Sequence, residues 1–256
     1  FDECFIISSG PSINFQDLEK LKSKNTFVSN DFHLHKDCKI VNPNFYCLLD
    51  GGCFNPTLNR DHITKENKLD ERIFARLEKI NKERSESSID STFIFPLQAA
   101  KKSVEKYNFF ENRKIIYLNM LSFDMADYIP KNLEISAGIP FSFNVLPWKI
   151  CIAILMGFKK IYLIGAEQDM YITDTHFISG NDRQKDYLHA FGLEYKKEKN
   201  LYPNTTNYIS MHLTKQILKS HINLNRFALT KNAKIINLTP GGILDVYENE
   251  KYENVV

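Results

Sequence analysis

Short apolar runs recur along this chain, separated by longer stretches with charged or turn-forming residues. Cys4–Ile7, Thr26–Ser29, Phe45–Leu49, Thr92–Phe95, Lys114–Leu118, Lys160–Ile164 and Lys234–Asn237 are rich in aromatic and β-branched residues. Runs of this length and composition predict strands. The gaps between them leave room for crossover helices. Strand–helix alternation of this kind predicts an α/β fold: a Rossmann-like, mostly parallel sheet with helices on both faces.

Helical spacing appears in four of the gaps. From Asn14 to Ser23, Phe15, Leu18 and Leu21 recur every third residue. From Lys65 to Arg84, Leu69, Ile73, Leu77 and Ile80 form one apolar face on a charged stretch. Ile139 to Met156 predicts the most apolar helix, with Pro140 in its first turn, a kink at Pro147 and Gly157 as a C-cap. Asn207 to Thr230 predicts a long late helix. Two regions lack periodicity, 51–66 and 170–206. The second mixes Tyr, Asp, His and Gly with a Lys-Lys-Glu-Lys run, and long irregular segments in compact domains commonly act as lids. The chain reads as one domain over 1–256, with a lid subdomain inserted at 170–206.

Composition changes this picture little. Of 256 residues, 43% are hydrophobic and 25% charged, ordinary globular values. A net charge of +2 argues against a nucleic-acid partner, whose basic footprint normally tilts the total. No apolar run reaches the length of a membrane span. No secretory signal pattern is visible, and the expected location is cytoplasmic, at or near the inner face of the membrane. The five cysteines have no CxxC pair and no zinc spacing, which predicts reduced thiols.

Candidate chemistry gathers where strands end, because open α/β sheets bind ligands at their carboxyl edge. The first strand runs into Ser8-Ser9-Gly10-Pro11-Ser12. Gly10 permits close backbone approach, Pro11 suits a first helical turn, and free N–H groups of the helix start would face an anion. Asn30 and Asp31 follow the second strand, Asp50 the third, Glu167 and Asp169 the strand ending near Gly165, and Asn237 and Thr239 the last. Asp50-Gly51-Gly52 reads equally as a ribose contact or a turn. Ser136-Ala137-Gly138 reads equally as a phosphate cradle before the apolar helix or as an ordinary N-cap. His176 in the lid and His212 in the late helix are candidate general bases toward a hydroxyl. Tyr171 and Tyr202 flank the lid, and no metal motif is evident.

Taken in order, these residues resemble two related groups. One is the bacterial sialyltransferases of the Campylobacter lipooligosaccharide type. The other is the glycosyltransferase domain of motility accessory factors, often labelled hydroxymethylpterin-pyrophosphokinase-like. Ile6-Ile7-Ser8-Ser9-Gly10-Pro11-Ser12 resembles the opening strand and GxGPS turn, with Ser9 where the sialyltransferases have Asn. Ser29-Asn30-Asp31-Phe32 resembles their second-strand Asn-Gln. Ile135-Ser136-Ala137-Gly138 through the joint Gly157–Gly165 resembles the stretch from ITSG to GYKEIYLSG, although Glu134 stands where the sialyltransferases have Arg. Asp169 to Phe177 and Asn237 to Asp245 are closer to the accessory-factor group.

The resemblance implies an inverting, metal-independent transferase without a cofactor. Its donor would be a CMP-activated nonulosonic (sialic-like) acid, and its acceptor a hydroxyl of a glycan, glycolipid or protein. Tyr208-Ile209-Ser210-Met211-His212 resembles the family's YIGH with one residue added. That makes His212 the first candidate base, and Tyr171 and Tyr208 candidates for phosphate and nucleotide contact. Peripheral membrane association and homo-oligomer formation are further expectations. The alternatives are an ATP-dependent diphosphokinase acting on a pterin alcohol, with Glu167 and Asp169 on Mg²⁺, and a non-catalytic nucleotide-sugar-binding module.

Overall fold

A computed structural model of the chain describes residues 2–49, 54, 81–84, 89–107, 110, 112–169 and 207–256. Eight strands form one sheet in the order β10-β9-β8-β1-β2-β3-β4-β5, and every pair is parallel. The strands are β1 (Glu3–Ile7), β2 (Thr26–Ser29), β3 (Phe45–Cys47), β4 (Thr92–Pro96) and β5 (Ile115–Leu118), then β8 (Lys160–Ile164), β9 (Lys234–Asn237) and β10 (Glu248–Asn249). A separate parallel pair joins β6 (Met120–Asp124) to β7 (Ile139–Phe141). Each of the seven strands predicted from the apolar runs is present.

The α-helices whose bounds are described are α1 (Cys38–Val41), α2 (Leu97–Tyr107), α3 (Val145–Leu155) and α4 (Asn207–Thr230), and residues 81–84 are helical as well. Alternation along each strand splits the core in two. Cys4, Ile6, Phe27, Ile161 and Leu163 point toward the face covered by α3 and α4. Phe5, Ile7, Val28, Tyr46, Phe93 and Ile164 point to the other face. A strand buried on both faces must be apolar at every position, so these runs do not alternate in sequence. Among the described residues, no helix is long and apolar enough to cross a membrane.

Strand order reverses direction at β1. The chain builds β1 to β5 outward on one side, then returns through α3 to place β8 on the other side of β1. The β1–β8 pairing covers five residue pairs, Glu3↔Lys160 to Ile7↔Ile164. Crevices outside such a reversal are where ligands bind in open α/β sheets.

Two helix expectations change. The stretch 14–23 is not one α-helix but two 3-10 turns, Pro11–Phe15 and Leu18–Leu21. A repeat of three is the 3-10 period. Gln16 interrupts with extended backbone, and Asp17 caps the second turn by accepting the Glu19 N–H. The helix expected from Ile139 begins instead at Val145, where Asn144 accepts the Leu146 N–H at 2.8 Å. Residues Ile139–Phe141 are strand β7, so Pro140 is not helical. Pro147 is the third residue of α3, inside the first turn, where a missing N–H disturbs no helical bond. Gly157 follows the C-cap at φ +92°, as expected of a helix stop. The 51–66 loop (except Phe54), most of the Lys65–Arg84 helix, the 170–206 lid and Cys53 lie outside the described residues. Cys4, Cys38, Cys47 and Cys151 are free and buried.

Candidate functional site

The Ser9-Gly10-Pro11-Ser12 turn sits at the strand-order reversal, against the end of β8. Ser8 donates its N–H to Ile164 O at 2.8 Å, and Gly10 donates to Gly165 O at 2.9 Å. Ser12 N–H donates to Glu167 Oε1 at 2.8 Å. This corrects the anion-cradle expectation for the turn. The helix start is a five-residue 3-10 turn, and the Ser12 donor is taken by an internal carboxylate.

The requirement for glycine at position 10 also has a different source. Its backbone is extended (φ −69°, ψ 151°), which any residue can adopt. A Cβ there would fall 1.6 Å from Glu167 Oε2 and 2.6 Å from Gly165 O. The close approach is to the end of β8 and the carboxylate beyond it. Glu167 is buried, its Oε2 has no partner, and burial raises its pKa against the opposing Ser12 hydrogen bond.

Thr239 closes the neighbouring strand end. Its Oγ1 accepts the Ala166 N–H at 2.8 Å, and its own N–H donates to Asn237 Oδ1. Gln16 reaches Leu238 O from the second core layer. The ends of β1, β8 and β9 are thereby tied into one floor.

At the end of β2, Asn30 turns at φ +54° and its carbonyl accepts the Tyr46 hydroxyl at 2.6 Å. Asp31 Oδ1 accepts from Arg84 Nη2 at 2.8 Å, and the Arg84 side chain is 6% exposed. The Tyr46 oxygen also faces His33 N at 3.1 Å. Desolvation and Arg84 hold the His33 pKa below its usual value.

Ser136, Ala137 and Gly138 do not precede a helix, which corrects their phosphate-cradle expectation. They form a 3-10 turn that leads into β7, anchored to Asn119 beyond β5: Asn119 Nδ2 donates to Ala137 O. Four strand spacings separate β5 from β1, roughly 19 Å. His212 and Tyr208 lie in the first turns of α4, both exposed, with their rings stacked at 6.4 Å. Asp50, Tyr171 and His176 lie outside the described residues.

Sequence reading passed over Lys149. It is fully buried on α3, and its Nζ donates to Ile7 O at 2.8 Å, Ser29 Oγ at 3.0 Å and Ser8 Oγ at 3.4 Å. Burial pushes its pKa down to about 7. A signal was present: one lysine between Trp148 and the apolar run Ile150–Ile154 of the most apolar helix. Arg84 was also missed, because its partner Asp31 lies 53 residues away. Among the described residues, no group of three His, Cys, Asp or Glu side chains is arranged to hold a metal ion.

No family model and no curated protein sequence matches the chain. Among solved structures, it is similar to that of a MAf glycosyltransferase from Magnetospirillum magneticum AMB-1. The match covers 99% of this chain and 34% of that one, with a TM-score of 0.52 and 15% identity. This chain therefore spans about a third of that protein's length. At such identity the likeness shows a shared fold.

Proposed function

We propose that this chain is a glycosyltransferase domain that binds a nucleotide-activated sugar at the carboxyl edge of its sheet. The observation that carries the reading is the strand-order reversal at β1/β8, whose carboxyl ends are tied together by Ser8–Ser12, Ala166–Glu167 and Thr239, in a fold shared with a glycosyltransferase. The accessory-factor side of the sequence resemblance agrees with that fold likeness. A CMP-activated nonulosonic acid as donor, and a glycan, glycolipid or protein hydroxyl as acceptor, rest on the sequence resemblance.

In this reading a base removes the acceptor hydroxyl proton. The oxygen attacks the anomeric carbon from the face opposite the nucleotide, the bond to phosphate breaks, and the configuration inverts. His212 is the proposed base: it is solvent-exposed at the start of α4, beside Tyr208 and directly after the 170–206 segment. The diphosphokinase alternative has Glu167 and Asp169 as Mg²⁺ ligands, and loss of activity on chelation would favour it over a metal-independent transfer. On the metal-independent reading that the sequence resemblance supplies, activity persists in excess chelator.

A thermal-shift panel of CMP, UDP, GDP and ATP tests nucleotide binding, because a ligand of the folded state raises its stability by mass action. CMP is expected to give the largest shift. His212→Ala should keep that shift and lose transfer by about a hundredfold or more, the usual contribution of a general base. Undiminished transfer in His212→Ala would remove His212 from the mechanism, and no shift with any nucleotide would overturn the reading.

A further inference from the structure

Lys149 carries a buried amine without a carboxylate partner among the described residues. Its three hydrogen-bond acceptors, Ile7 O, Ser8 Oγ and Ser29 Oγ, are all neutral. Burying a charge without a counter-charge is costly, so the position calls for an explanation. Its place in the fold supplies one. Lys149 in the first turns of α3 reaches Ile7 O and Ser29 Oγ, so this end of the helix lies at the carboxyl edge, where β1 leads into Ser8 and β2 ends in Ser29.

The chemistry of the contact has a direction. An ammonium has only donors. Both seryl oxygens accept from it, so each hydroxyl proton must point elsewhere. Among the described residues, neither hydroxyl donates to a protein acceptor. When the Lys149 amine is protonated, two O–H donors with a positive charge directly behind them stand at the ends of β1 and β2, next to the strand-order reversal.

We propose that Lys149 is a positioning residue of an anion site at the ends of β1 and β2, holding Ser8 and Ser29 by their oxygens so that both hydroxyls donate to a phosphoryl group. The proposal rests on the nucleotide reading above and deepens it by assigning the phosphate to these two serines. The lysine touches no ligand. It sets the polarity of the hydroxyls and supplies the counter-charge from below.

Proton linkage follows from the same geometry. The titratable group facing the Lys149 amine is the Cys47 thiol on β3, itself pushed up to about 12 by burial and therefore neutral. At pH 8 an amine titrating near 7 is mostly unprotonated. An anion placed over it favours the ammonium, so binding should take up a proton.

Calorimetric titration at pH 8, in two buffers of different ionisation heat, reads affinity and proton uptake together. The probes are CMP and inorganic pyrophosphate, against wild type, Lys149→Met, Ser8→Ala and Ser29→Ala, each checked for folding by circular dichroism. Wild type should take up close to one proton, as full protonation of one amine requires. Lys149→Met should bind at least about tenfold more weakly with no uptake, and each alanine variant roughly fivefold more weakly with uptake retained.

Folded variants that bind as tightly as wild type, or uptake that persists in Lys149→Met, overturn the proposal. Should Lys149→Met not fold, the two alanine variants decide it by affinity alone. Tight CMP binding that ignores Lys149 and both serines sinks the inference and leaves the nucleotide reading standing. Lys149-dependent binding of pyrophosphate without binding of any nucleotide does the reverse. A wild type that binds neither probe defeats the inference.

Discussion

His221 shows what burial does to a single titratable side chain. It is fully enclosed on α4, its Nδ1 is 2.8 Å from the Tyr247 hydroxyl, and burial lowers its pKa from 6.5 to about 3. The folded state therefore binds fewer protons than the unfolded chain between those two values. Stability from this residue is complete above pH 6.5 and is lost as pH falls toward 3, by about 2 kcal/mol at pH 5. Urea unfolding at pH 7.5 and 5 should show that loss in the wild type and a much smaller one in His221→Asn, and equal losses in both would assign the acid sensitivity elsewhere. His33 and His35 are also held low by desolvation and add in the same direction. None of this was visible in the sequence, where all seven histidines look alike. His212 drew attention by its neighbours in sequence, whereas the state of His221 depends on which groups exclude water from it.

The opening turn carries the lesson at the scale of elements. Pro11 was legible as the start of a helical turn, since it fixes its own backbone, whereas the need for glycine at position 10 comes from its approach to Glu167 and the end of β8. That the turn's donor meets Glu167, 155 residues away, was not legible. Gly10→Ala places a methyl group into Glu167 and the β8 backbone, so something must shift. A cost of about 3 kcal/mol is expected, the upper range for overpacking. For a domain of this size that lowers the melting temperature by roughly 6–12 °C. Ser9→Ala, which adds no atom, is the control; a Gly10→Ala protein melting with it would show that the turn tolerates the bulk. The α3 boundary was misjudged for a related reason. Ile139–Phe141 is as apolar as the helix that follows, and only its pairing with Met120–Asp124 makes it a strand.

For the whole molecule, strand order ranks stability across the sheet. β1 is paired on both sides, to β8 and β2, and its side chains fill both core layers. β10 is a two-residue edge strand with both residues exposed. Native-state hydrogen exchange should find the Cys4–Ile7 amides opening only with global unfolding and the β10 amides opening far earlier. Comparable protection at both would contradict a sheet centred on β1. The sequence by itself determined the seven main strands, their α/β class and the polar residues at their ends, because hydrophobic runs and turn residues act within a few positions of the chain. Tertiary structure alone decided where the order reverses, that the Glu167 carboxylate takes the Ser12 N–H of the opening turn, and that the one lysine of the apolar helix lies beneath Ser8 and Ser29. Those contacts join residues 120 to 155 positions apart. No local pattern encodes such pairs; they follow from how the sheet and α3 pack.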